Sequence, residues 1–521
     1  MKHNSNYFVL KKPPLSLWQS LLFIIKIPIS LPSWIISFLL ARMMANIVLS
    51  PTYAKTQKPI HLVRFSDDPT EKGTVVINLL PKDPHKTFHD YLLKFSSVFH
   101  LPFLAKLKKR QLSFKNPKDK AHIDQIITEI DLLITGQSTT DKCQHKTFKW
   151  TDIHLKGLEY LDDELRNYLF AKLRAKYGSE ADTPPTTTMD FFTLETPDDA
   201  VLDSVALSAE SEQDKPMAER KFVIVCLANG QSYIDWLKDF NVSAKEIGCT
   251  IIGFNYRGID YSQGMIWTQN NMVDDTIAQV KRLLALGAKA ENIGLEGMCV
   301  GGVVATIAAA KLHDEGLKVK LYNERSFRSA PHLLAGTVLP DAQSSLWSPV
   351  TLGRYLIAGL VFAIFTPIVW LAGWHLDAAS AWDKIPLADK NYSVIRNPRD
   401  IDPKAPKTDG IIEDSWASMA SLMDEKRAEI IEKKQRKQAL TEEEEALLSD
   451  QPETHQFKVN PQFELKNKTP HVIARRHLIQ TDGPLHMHQH MIASFKSKFF
   501  RTSTISPNSE TTTETNHALS L

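Results

Sequence analysis

The chain has 521 residues, and its 62 Lys and Arg against 60 Asp and Glu give a formal charge of +2. A hydrophobic share of 43% and a charged share of 23% exclude a wholly disordered or collagen-like polymer, and the near-zero charge gives no whole-chain case for nucleic-acid binding. The four cysteines (Cys143, Cys226, Cys249, Cys299) form no CxxC pair, which argues against a disulfide scaffold or a cysteine-type zinc site and for a reducing compartment.

At the N-terminus, residues 1–60 carry seven Lys or Arg and no Asp or Glu, and most positions between Leu15 and Leu49 are apolar. Lys26, Pro28, Pro32 and Arg42 interrupt that run, so it predicts an anchor lying on an anionic membrane rather than a clean membrane-spanning helix. A signal peptide ending near Ala54 and a pair of helices packed on the body are the rival readings. Residues 61–185 read as an extension of unknown role, with apolar periodicity around Tyr91–Leu107 and Leu158–Leu173.

From there the chain alternates. Thr188–Leu207 has room for one or two strands, and Lys221–Ala228 and Cys249–Tyr256 are continuous apolar runs suited to buried parallel strands. Val273, Ile277, Val280 and Leu284 mark one helix face. Ile293–Glu296 reads as a strand, Gly301–Leu312 as a helix, and Lys318–Asn323, Tyr392–Asn397 and His471–Thr481 as further strands. This alternation predicts an α/β fold with a doubly wound, mostly parallel sheet. Tyr355–Trp374 is an uncharged apolar run, long enough to span a membrane. Its place between two strands predicts instead an apolar helical cap. Glu413–Lys458, dense in charge, reads as an exposed helical insertion in which Thr441 and Glu444 have capping-box spacing.

The chemistry concentrates at Gly297-Met298-Cys299-Val300-Gly301-Gly302, between a strand and an Ala-rich helix. A tight strand-to-helix turn of this kind strains the nucleophile's backbone, and flanking glycines remove the Cβ atoms that would clash. The helix N-terminus favours a thiolate and an oxyanion. The GxGxxG and GxxxxGK[ST] phosphate-loop spacings are absent. Residues 186–500 therefore resemble the α/β-hydrolase fold. In such enzymes the Asn229-Gly230-Gln231 turn would offer one oxyanion N–H, from Gly230 or Gln231, and Val300 the other. Phe254-Asn255-Tyr256-Arg257-Gly258 resembles a strand-ending turn common in these hydrolases. The cysteine elbow is similar to those of dienelactone hydrolases and polyhydroxyalkanoate synthases. A broader resemblance is to the CHLPS/SidB-like bacterial α/β-hydrolases, which include effectors delivered into host cells. It rests on Asn323–Ser329, Gly373-Trp374 and Asp409-Gly410-Ile411-Ile412. That group mostly carries Ser where this chain has Cys299.

The resemblance implies an acid after the nucleophile and a histidine last. Asp409 is the first choice of acid, with Asp400 and Asp402 as alternatives. His486, first in the run His486-Met487-His488-Gln489-His490, is the expected base, with His488 second. A metal on this histidine run lacks a local carboxylate or cysteine, so no metal and no cofactor is expected. The reading is then an esterase, lipase or thioesterase-like hydrolase with a Cys299–Asp409–His486 triad and an acyl-enzyme intermediate. A cysteine acyltransferase and an inactive scaffold that binds membranes or a protein are the alternatives. Its expected partners are a lipid or acyl substrate and a membrane surface. The expected organisation is a 1–60 anchor, a 61–185 extension and a 186–500 hydrolase domain with a cap at about 331–385 and a charged insertion at about 413–460. A disordered 501–521 tail follows, with ten Ser or Thr.

Overall fold

A computed structural model describes residues 189–339, 348–396, 409–448, 454–460, 470–481 and 483–500, short strands at 7–9, 61–64, 75–78 and 153–156, and isolated positions elsewhere. Most of the basic apolar segment, the Tyr91–Leu107 periodicity, most of Leu158–Leu173, Cys143, Asp400, Asp402 and the 501–521 tail lie outside the described residues.

The strands are β1 (Tyr7–Val9), β2 (His61–Arg64), β3 (Val75–Asn78), β4 (Ile153–Lys156), β5 (Met189–Glu195), β6 (Val201–Ser208), β7 (Phe222–Cys226), β8 (Thr250–Phe254), β9 (Ile293–Met298), β10 (Lys320–Glu324), β11 (Lys390–Ile395), β12 (Thr454–Val459) and β13 (Leu478–Gln480). One sheet is a three-stranded antiparallel β3-β2-β4. The other has ten strands in the order β1-β5-β6-β8-β7-β9-β10-β11-β12-β13. From β8 to β12 every pairing is parallel; β6 runs antiparallel to both its neighbours, and β13 runs antiparallel to β12. Strand order reverses between β8 and β9, so the ends of β7 and β9 meet at a topological switch point, where open α/β sheets place their sites.

Among the described residues, besides a single turn at Glu210–Gln213, the α-helices are α1 (Leu237–Ile247), α2 (Gln269–Ala285), α3 (Val300–Asp314), α4 (Ala330–Gly336), α5 (Pro349–Leu371), α6 (Ala378–Trp382), α7 (Met419–Gln435), α8 (Glu442–Leu448) and α9 (Met487–Ala493). They cover both faces of the large sheet. In β7, Phe222, Ile224 and Cys226 join the apolar cluster of α2 and α3, whereas Val223 and Val225 join that of α1 and α9. Alternation of side chains along a strand explains the split, and burial on both faces explains why β7 reads as a continuous apolar run. Helix α3 is almost wholly buried; its glycines and alanines let it lie close to the sheet.

Two sequence expectations change here. The insertion expected at 413–460 does contain α7 and α8, and Thr441 and Glu444 make the reciprocal capping bonds, at 2.9 and 3.2 Å. Its last residues, however, are β12, paired with β11 in the main sheet. Thr-His-Gln-Phe-Lys-Val turns Phe457 into the core and leaves its neighbours half-buried, a pattern that the adjacent charge run hides. Conversely, His471–Thr481 is not one strand. Short 3-10 turns hold Pro470–Val472 and Arg475–His477, and only Leu478–Gln480 pairs, antiparallel. Arg475 is drawn to the buried carboxylates Glu296 and Glu324, which takes this backbone off a straight path.

Candidate active site

Cys299 sits between β9 and α3 with φ +56° and ψ −125°, a conformation that costs a non-glycine residue on the order of 1–3 kcal/mol. The surroundings fix it: its N–H donates to the Glu324 carbonyl at 3.1 Å, and its carbonyl accepts from Val303 at 3.2 Å. The glycines allow the turn to close. A Cβ on Gly301 would lie 2.1 Å from the Cys226 carbonyl oxygen at the end of β7, and one on Gly302 would lie 2.3 Å from Asn323 Oδ1. Asn323 cannot easily yield, because its Nδ2 donates to Thr306 Oγ1 at 2.8 Å.

Asp409, 14 residues beyond the end of β11, is buried and its carboxylate is fully engaged. Oδ1 accepts from Ile411 N–H at 3.0 Å and Ile412 N–H at 2.8 Å, and Oδ2 faces His471 Nδ1 at 2.6 Å. The Gly410-Ile411-Ile412 sequence thus supplies the amides that aim the acid. His471 also donates its backbone N–H to the Asp409 carbonyl at 2.7 Å. With Nδ1 so occupied, Nε2 is the nitrogen left to interact with Cys299, the other side chain that acts on this imidazole. Burial alone would push the imidazole down; the bonds to Asp409 and Cys299 outweigh it and hold it up at about 9. Burial pushes the Cys226 thiol up to about 12 and the Cys249 thiol well above the usual range.

The histidine that meets Cys299 and Asp409 is therefore His471, not His486. His486 begins α9, its N–H donating to Gln489 Oε1 at 3.0 Å, and it bridges Ile479 of β13. His488 faces Glu246 at 3.1 Å, and His490 points into the core against Tyr322 and His455. No group of three or more metal-ligating side chains occurs among the described residues. At the proposed oxyanion turn, Gly230 has φ +76°. Gln231 closes that turn with both its groups: its N–H approaches the Ala228 carbonyl at 3.4 Å and its Oε1 accepts from Ala228 N–H at 3.0 Å. Val300 opens α3, so its N–H has no acceptor within the helix.

Buried charged side chains hold the backbone that carries the histidine. Arg325, at φ +47°, donates through Nη1 to the carbonyls of His471 at 2.6 Å and Ile473 at 3.0 Å, and through Nη2 to Glu324 Oε1 at 2.6 Å. Glu324 Oε2 accepts from Arg475 Nε at 2.8 Å, and Arg475 also pairs with Glu296. Burial would raise Glu324, but Arg325 and Arg475 hold it down at about 2. Arg257 of the strand-ending turn is instead a structural clamp: buried, it binds Asp275 through Nε at 2.8 Å and Asp198 through Nη2 at 3.1 Å. A cavity of about 160 Å³ adjoins the elbow at Met298; its lining mixes apolar side chains such as Leu227 and Phe240 with the charged Glu296 and Arg475, and does not include Cys299 or His471.

No family model and no curated protein matches this chain. Among solved structures it is similar to an α/β hydrolase from Vibrio vulnificus, at 15% identity and a TM-score of 0.29, covering 40% of this chain and 63% of that one. An esterase from Pyrobaculum calidifontis is similar at 17% identity and a TM-score of 0.26, over 45% of this chain and 74% of that one. A serine hydrolase without a lid from Xanthomonas campestris is similar at 24% identity and a TM-score of 0.22, over 27% of this chain and 62% of that one. The chain thus spans less than two thirds of the first and last of these relatives. The fold itself is defined by strand order and by the elbow after β9: it is an α/β-hydrolase fold.

Proposed function

We propose that this protein hydrolyses ester or thioester bonds through a Cys299–His471–Asp409 triad. The observation that carries the reading is one imidazole held between the Asp409 carboxylate and the thiol of a strained strand-to-helix turn. His471 takes the thiol proton, and Asp409 orients the imidazolium and stabilises its charge without accepting the proton. Sγ then bonds to the substrate carbonyl carbon while the carbonyl π pair moves onto oxygen, toward Val300 N–H. Collapse breaks the bond to the leaving group, which takes the proton from His471. Water, deprotonated by the same imidazole, attacks the acyl-cysteine and releases the acid and the thiol. The basic, apolar character of residues 1–60 favours substrates carried at a membrane.

The test is labelling with a thiol-reactive acyl probe, followed by mapping and by turnover of aryl esters and thioesters. Cys299 should be modified ahead of Cys226 and Cys249. Cys299→Ala and His471→Ala should each lose turnover by at least about 10³-fold, and His486→Ala should keep it. Equal labelling of all cysteines in the folded protein would sink the reading. Acyl transfer to an added alcohol in preference to water would make the enzyme an acyltransferase on the same triad.

A further inference from the structure

Helix α5 lies in the insertion between β10 and β11, and its 23 residues include no carboxylate and one cation, Arg354, near the start. At 1.5 Å per residue it is about 35 Å long. Its buried side chains are Thr351, Ala358 and Val369, spaced 7 and 11 apart. At about 100° per residue these fall within about 20° of a single line. The helix therefore touches the body along one side, where half-buried Val361, Phe362, Phe365, Thr366 and Ile368 flank that line. The rest is open: more of the exposed large apolar side chains sit on α5 than on all other described elements together, and Leu356 and Trp370 are each 68% exposed. By the same count, the exposed apolar positions spread over more than half of the circumference.

From this face we propose that α5 docks the protein on a lipid bilayer, lying in its surface with the outer half sunk among acyl chains. The breadth of the apolar face favours lipid over protein. A groove on a partner grips a helix along a stripe of anchors at i, i+3, i+4 and i+7, whereas acyl chains cover any apolar contour. The ends suit an interface too: Arg354 and Tyr355 stand exposed near one end and Trp370 near the other, the residue types that settle at headgroup level. A membrane-spanning course is less apt, since α5 packs on α4 and buries Thr351, Ala358 and Val369, near its start, middle and end, against the body. Docking also orients the site. Phe362 of α5 packs against His332, with ring centroids 4.9 Å apart, and against Trp416 at 5.9 Å. Trp416 belongs to the same loop as Asp409, so the acid-bearing side of the hydrolase domain faces the lipid. The docking stands without the triad reading; it adds to it that the substrate is presented from a membrane.

The test is flotation of the full chain with vesicles of pure phosphatidylcholine. Neutral lipid isolates the apolar term, because the cationic residues 1–60 gain from anionic headgroups. A Cβ added at Gly353 or Gly359 meets nothing within 4 Å, so a Gly353→Glu, Gly359→Glu double variant places charge on the face without disturbing packing. Replacing glycine inside a helix also protects the fold. The wild type should float, and the variant's partition should fall at least tenfold while its melting temperature holds or rises and its Cys299 labelling is unchanged. A second variant, Leu356→Glu with Leu360→Glu, should behave alike. Failure of the wild type to float, or equal flotation of wild type and both variants, would overturn the proposal. So would a lipid-free dimer that the variants convert to a monomer, since a second copy would then own the face.

Discussion

At the scale of single residues, the arrangement predicts how the site responds to small changes. Arg325 acts on His471 through its backbone, not on the substrate. Arg325→Lys keeps the charge but loses the fork that reaches two carbonyls and Glu324 at once. A displacement near 1 Å of the imidazole is worth on the order of 10²-fold in rate, so kcat should fall by about that factor with KM little changed and the protein still folded. Steady-state kinetics beside a thermal melt would separate this from general damage. The imidazole proton gives a pH dependence of known sign. Its affinity in the folded protein, at about 9, exceeds the free value of about 6.5. The ion pair's contribution to stability is therefore full below about pH 6.5 and is lost as pH rises through about 9. Turnover that needs the imidazolium to protonate the leaving group should decline over the same upper limb, and a pH profile of kcat/KM checks it. Two of the three residues that meet at the elbow were legible in local motifs: Cys299 among its glycines, and Asp409 before amides that cap it. His471 was not. It stands alone between Pro470 and Val472, and the run at 486–490 drew attention because three histidines are more conspicuous than one.

The elements show why that happened. In this chain His471, the proposed base, follows the last parallel strand, so finding it depends on finding β12. The other parallel strands are buried on both faces and announce themselves as apolar runs. β12 carries Thr454, His455, Gln456 and Lys458 around Phe457, next to two charged helices, and its identity comes from pairing with β11 rather than from its own composition. Phe457 is buried in a small cluster with Ile395, Ile473 and Leu478. Phe457→Ala should cost about 3–5 kcal/mol and loosen the segment that bears His471. Reduced urea resistance together with slower Cys299 acylation would show both effects, whereas lost stability with unaltered acylation would uncouple the strand from the site.

At the scale of the whole molecule, acid sensitivity should draw on a pair of buried histidines. His455 and His490 pack with their rings tilted and centroids 4.0 Å apart, with Tyr322 and Lys498 as the other titratable neighbours. Burial, with Lys498 adding to it, pushes His455 down to about 4; burial, His455 and Lys498 push His490 down to about 3. Unfolding frees both to take up protons near pH 6.5, so stability should fall as pH drops from about 6.5 toward 4, by up to roughly 1 kcal/mol per pH unit for each histidine. Urea midpoints at pH 7 and pH 5 measure the slope, and His490→Gln should flatten it.

The outer strand of the large sheet bears on how this protein can be handled. β1 is contributed by Tyr7–Val9 and covers Thr193–Glu195 of the seven-residue β5. Trimming the greasy N-terminus, the usual first step toward a well-behaved preparation, would remove that cover. The exposed β5 edge would then offer unpaired amides and carbonyls to another molecule's strand. A truncated protein is expected to self-associate through that edge with time and concentration, which light scattering on matched full-length and trimmed samples would reveal.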